Sequence, residues 1–228
     1  MFILTLLCLP VVLHASVNEP NHHVATRASR SAIVVQEPDP VTALQQKVGD
    51  IYKQVMGSAM PSLLGAQAKL LEARGSKDQA ALLRATAAAA QAGANKVDRA
   101  SWEQIQQVAS ESSKQIGSMF ADSASAVDNA SRTLFIDGAK GFLDGTAQTT
   151  GIAQQLSGLQ KSVEAVSKLR NPMQMRSAKP ALDVASVMLS GLPALTQTET
   201  ATAKALISYA QKQKLPLPAG STDLFKGN

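Results

Sequence analysis

Chemistry in a protein begins with residue types, and the first candidates here are Asp137 and Asp144. They lie in "FIDGAKGFLDG", residues 135–145, a stretch that nearly repeats itself. Two carboxylates can work as an acid and base pair. On a helix, residues seven apart share a face at roughly 10 Å. That is at or beyond the span of an inverting glycosidase pair, and such enzymes usually offer aromatic platforms. Aromatic residues make up only 4% of this chain. A solvated pair at equivalent heptad positions is the better reading, and Asp122 and Asp128 offer no better geometry.

The same stretch is also glycine-rich. A phosphate loop needs the order G-x-x-x-x-G-K-[ST] after a strand, and neither is present. A calcium loop needs oxygen ligands at alternate positions and a closing bidentate Glu. None stands between Asp137 and Asp144.

Other chemistries lack their residues. The three histidines are His14, His22 and His23, all ahead of the helical body. This leaves no His-based acid–base work, triad or imidazole metal site in that body. The serine-hydrolase patterns G-x-S-x-G and S-x-x-K are absent. Cys8 is the only cysteine. It lies within the apolar start, so a chain cut after Ala15 has no disulfide and no thiolate nucleophile. No catalytic residue, cofactor or metal is assigned. A carboxyl with a raised pKa in a closed cleft is the observation that would favour an enzyme.

The first 15 residues, within "MFILTLLCLPVVLHAS", read as a signal peptide cut before Ser16. The usual basic start is missing. Residues 16–40 are polar and proline-flanked, a leader or linker. Its "RASR" has the form of a processing site, but a flexible basic linker is the better reading. The expected location is secreted or periplasmic. Asn129-Ala130-Ser131 has the glycosylation acceptor form, relevant only in a eukaryotic secretory setting.

The 228-residue chain carries a net charge of +5. Its Lys and Arg are scattered singly among acidic neighbours, without the basic clustering of a nucleic-acid surface. A membrane surface stays open as a partner. Residues 180–198 hold one charge, Asp183. A buried central helix explains this stretch best, and a membrane-inserting hairpin is the alternative.

The elements that must position these residues are helical. Hydrophobic residues reach 45%, many of them alanine, which suits closely approaching helices. Leu44, Val48, Ile51 and Val55 define one helical face. Pro61 opens a second helix bearing Leu63, Leu64, Leu70 and Leu71. Gly75 interrupts, and capping-box patterns at Ser76–Gln79 and Ser101–Gln104 start the next two. A helix carrying Trp102, Ile105, Val108, Ile116, Met119 and Phe120 continues or breaks near residue 122.

The most regular segment follows. Phe135, Gly138, Phe142, Gly145, Thr149, Ile152, Leu156, Leu159, Val163 and Val166 keep one heptad register. All but Thr149 form the candidate helix-packing seam. Its glycines predict a packing notch or a weak point. Asn171-Pro172 is expected to stop a helix. A shorter helix then runs from about Pro180, divided at Gly191 and Pro193 from a last one.

The expectation is an all-α fold: an elongated antiparallel helical bundle of about six or seven helices with coiled-coil-like packing. It spans residues 41–214, with a proline-containing tail at 215–228. The expected function is an exported non-catalytic protein working by protein–protein interaction or self-association. The alternative is a membrane- or lipid-active helical protein, pore-former-like or a lipid carrier.

Overall fold

A computed structural model describes residues 39–121 and 126–217. The signal segment and residues 16–38 of the expected leader lie outside the described residues, as does most of the tail. So do the three histidines and Cys8. Asp39 and Pro40, expected to end the leader, instead cap and open the first helix.

The described residues form an all-α fold without a strand. Helix α1 spans Pro40–Gln54 and passes through a π-helical turn, Val55–Ala59, into α2, Met60–Ala73. Then come α3 (Lys77–Gly93), α4 (Arg99–Ala121), α5 (Arg132–Ala153), α6 (Leu156–Ser167) and α7 (Pro172–Lys212).

The ends of the helices follow local chemistry. Asp39 and Asn171 each precede a proline at the first helical position, where a missing N–H costs nothing. Asp39 accepts from the Thr42 N–H at 3.2 Å, and Asn171 from the Met173 N–H at 2.9 Å. Helix α2 ends at Gly75, whose φ of +81° favours glycine. The Ser76 N–H reaches back to the Leu71 carbonyl at 2.9 Å. Helix α7 ends the same way, with the Leu215 N–H on the Ala210 carbonyl at 2.8 Å. Here the left-handed residue is Lys214, with φ of +52°.

Several expectations need correction. Ser76 caps α3 without a side-chain bond. Ser101 lies inside α4, and Asp98 supplies the cap by accepting from the Ser101 N–H at 2.8 Å. Pro61 sits in the first turn of α2 while the helical path runs on from α1. Asn171-Pro172 begins a helix, since α6 has already ended at Ser167. Most notably, Pro180, Gly191 and Pro193 do not divide the last segment. Helix α7 runs through all three for 41 residues. Both prolines face solvent. The opposite face is buried at Ala181, Ala185, Met188, Leu192, Leu195, Glu199, Thr202, Leu206 and Tyr209. That strict 4,3 spacing holds the helix together although each proline removes a backbone bond.

Helix directions also depart from the antiparallel expectation. Helix α5 is antiparallel to α2, with Gly138 beside Leu70 and Gly145 beside Leu63. Helices α4 and α7 are parallel: Ser113 meets Thr202, and seven residues on Phe120 meets Tyr209. Helices α2 and α4 are parallel too, since Gln67 meets Ala109 and Arg74 meets Met119.

Candidate functional site

The seam residues Phe135, Gly138, Phe142, Gly145, Ile152, Leu156, Leu159 and Val166 are all buried, as is Thr149. Val163 is half-buried. They do not lie on one continuous helix. A turn at Gln154–Gln155 separates α5 from α6, so the register crosses a break between Ile152 and Leu156. The break is local because both pieces keep their apolar side inward.

"FIDGAKGFLDG" lies wholly within α5. Its glycines meet α2 closely. A β-carbon at Gly138 would stand 2.9 Å from Leu70 Cγ and 3.1 Å from the Leu70 backbone nitrogen. At Gly141 it would stand 3.1 Å from Ala66 Cβ, and at Gly145 3.2 Å from Leu63 Cα. The three glycines therefore form a packing notch. Asp137 and Asp144 are exposed, and Asp137 pairs with Lys69 at 3.8 Å.

At one end of the core, Phe120, Phe135 and Tyr209 pack with ring centroids 5.0–5.2 Å apart. The Arg74 guanidinium lies 4.5 Å from the Phe120 centroid and 5.2 Å from that of Tyr209. It also donates to the Met119 carbonyl at 2.9 Å. The Tyr209 hydroxyl accepts from the Val127 N–H at 2.9 Å.

The middle of the core is polar. Gln67, Ser113, Thr146, Thr149, Glu199 and Thr202 are buried there, on α2, α4, α5 and α7. Gln67 Nε2 donates to the Ala109 carbonyl at 2.9 Å and to Ser113 Oγ at 2.8 Å. Thr202 Oγ1 donates to the Ser113 carbonyl at 2.8 Å. Glu199 has no exposed surface and is hydrogen-bonded through Oε2 to Thr149 Oγ1. Its Oε1 has no partner. Burial pushes its pKa up to about 8, and the Thr149 bond only partly opposes this.

Sequence reading missed Glu199. The signal was the 4,3 spacing of α7, which places a glutamate where Leu192, Leu195 and Leu206 mark the core register. The expected breaks at Gly191 and Pro193 hid that register.

A raised carboxyl pKa is half of what an enzyme would need. The other half is access. Surface clefts of about 470 Å³ beside Arg74 and Asp128, and of about 380 Å³ beside Lys47 and Lys53, have no residue of the polar layer in their walls. Among the described residues, no three His, Cys, Asp or Glu side chains gather as a metal site. No described helix is long and apolar enough to cross a membrane. The 180–198 stretch is not wholly buried, since Pro180, Ser186, Ser190, Pro193 and Ala194 are exposed.

Among the described residues, no element covers one face of α3. Helix α3 buries only Ala80, Leu83 and Ala90 along its length. Its outer side exposes Ala81, Leu82, Ala85, Ala88, Ala89 and Ala92. Leu82 is 62% exposed. Arg84 is drawn toward α2 by an ion pair with Glu72.

Comparison with protein-family models, with curated proteins and with solved structures finds no match for this chain.

Proposed function

We propose that this is an exported, non-catalytic helical protein that works by self-association, with the outer face of α3 as the contact. The observation that carries the reading is the apolar face of Ala81, Leu82, Ala85, Ala88, Ala89 and Ala92. Small side chains let a second helix approach closely, and Leu82 supplies a knob to bury. A face of small apolar side chains can meet its own copy across a two-fold axis. It is also short. Residues 81–92 span about 16 Å of helix axis. A strip of that length buries well under the roughly 800 Å² per partner of a stable complex. The association is therefore weak and concentration-dependent. Coiled-coil-like packing of α3 against its copy is the geometry we infer.

The non-catalytic part of the proposal rests on the enclosure of Glu199, the one described carboxyl with a strongly raised pKa. Export rests on the apolar first 15 residues, and the mature N-terminus of natively produced protein tests it. Sedimentation equilibrium of the wild-type chain over a wide concentration range tests the contact. The average mass rises with concentration, and Leu82→Glu holds it at the monomer value. A wild-type chain that stays monomeric at every concentration removes the reading.

A further inference from the structure

Glu199 and Thr149 join α7 to α5 in a way that depends on a proton. The Thr149 hydroxyl has one proton and three acceptors within reach: the Gly145 carbonyl at 3.2 Å, the Thr146 carbonyl at 3.0 Å and Glu199 Oε2. The arrangement leaves least unmet when the carboxylic acid donates to Thr149 Oγ1 and the hydroxyl donates on to its own helix. Ionised, Glu199 would be a buried anion held by a single hydroxyl, with Oε1 unpartnered.

Among the described residues nothing else compensates a charge there; half-buried Arg74 packs on Tyr209, ten residues along α7 from Glu199. The charged side chains of the elements packed against α7 face solvent: Lys47, Asp50 and Lys53 on α1, Arg99, Glu103, Glu111 and Lys114 on α4, Arg132, Asp137, Lys140 and Asp144 on α5, Lys161 and Glu164 on α6. On α7 itself Arg176, Lys179, Lys204 and Lys212 are exposed, and Asp183 is half-exposed and paired with Lys179 at 3.1 Å. The joint also lies where both helices are locally weak. Helix α5 ends four residues after Thr149, and α7 lacks the Pro193 N–H six residues before Glu199.

We propose that Glu199 and Thr149 form a proton-gated latch between α7 and α5, closed when the carboxyl is protonated and released when it ionises. Release separates α5 from the Pro193–Lys212 part of α7 and exposes the polar layer. The protein is thereby tighter in an acidic medium than in an alkaline one, a conformational property independent of the α3 contact.

Hydrogen–deuterium exchange of the full chain between pH 5.5 and 8.5 tests this, with intrinsic exchange rates divided out. In the wild type, the opening constant of α5 residues 142–153 and α7 residues 195–206 rises about tenfold per pH unit while the closed form holds the proton and the open form does not. In Glu199→Gln the same segments show no such slope. Glu199→Met, neutral and of similar length, gives the same flat profile and serves if the glutamine variant folds poorly. Peptides of α3 stay flat in every variant. The latch is overturned if wild type and both variants share one slope, or if the wild-type slope extends equally to α3.

Discussion

Gly145 of α5 lies so close to Leu63 of α2 that a β-carbon on it would stand 3.2 Å from the Leu63 α-carbon. The obstacle is backbone, which cannot swing aside as a flexible side chain can. Gly145→Ala should therefore cost about 1–3 kcal/mol of stability by overpacking. Gly151, on the same helix, would meet nothing within 4 Å. Gly151→Ala should instead gain up to about 1 kcal/mol through helix propensity. Urea denaturation of the two variants checks both signs, and equal effects would show that the notch is no tighter than the rest of α5.

The global pH dependence has a definite sign. An unfolded glutamate holds its proton below about 4.5, whereas folded Glu199 holds it below about 8. Between these values the folded state binds one more proton, so raising the pH favours unfolding. The contribution is complete below 4.5, falls across the window and levels off above 8, a change on the order of a few kcal/mol. Denaturant midpoints should fall from pH 5 to 8 in the wild type and flatten above that. Glu199→Gln should be the more stable protein at pH 8 and have the flatter curve.

Arg74 is held by two aromatic faces and one carbonyl. Arg74→Ala should lose about 2 kcal/mol, combining the cation–π contacts with the bond to Met119. Arg74→Lys should recover only part of this, because an ammonium cannot lie flat on Phe120 and Tyr209 while donating to the carbonyl. Thermal unfolding of the two variants at neutral pH distinguishes this from loss of charge alone, which would let lysine restore stability fully.

Leu82 is an exposed side chain whose removal should leave the fold alone. Leu82→Glu should change stability by less than about 0.5 kcal/mol. It should nonetheless abolish concentration-dependent mass in sedimentation. A large loss of stability would place Leu82 in the core instead of at a contact.

Lys214 closes α7 in the left-handed region with φ of +52°. Lys214→Gly should stabilise by about 1 kcal/mol, since glycine occupies that region without strain from a β-carbon. The variant's denaturant midpoint reads the gain directly, and a decrease would mean that the lysine side chain contributes more than its backbone strain costs.

How much of this was legible depended on whether a signal was periodic or positional. The all-α class and the inward faces of Leu44, Val48, Ile51 and Val55 could be read from spacing alone. Spacing also put Gly138 and Gly145 at seam positions, but whether they made a notch or a weak point was decided only by their closeness to α2. Proline and capping patterns misled. Pro180 and Pro193 are compatible with α7 because they face solvent, and burial on the other side outweighs two missing bonds. Ser101 resembles a cap but lies within the helix that Asp98 begins. Direction was beyond reach, since heptad spacing is the same whether the partner helix runs up or down. Glu199 went unread for a combined reason: its register became visible only once α7 was one helix.

The parallel pairing of α4 and α7 also bears on the order in which the chain is made. Ser113 and Thr202 are 89 residues apart, so their contact closes a long loop. Helices α2 and α3 are neighbours along the chain and can pair early. Helix α7 is the last described element and packs on α1, α4, α5 and α6. Until it is synthesised, the faces of α4 and α5 that α7 covers stay bare, although both helices already have α2 as a neighbour. A polypeptide whose core is closed by its last described helix completes that core only late in its own synthesis.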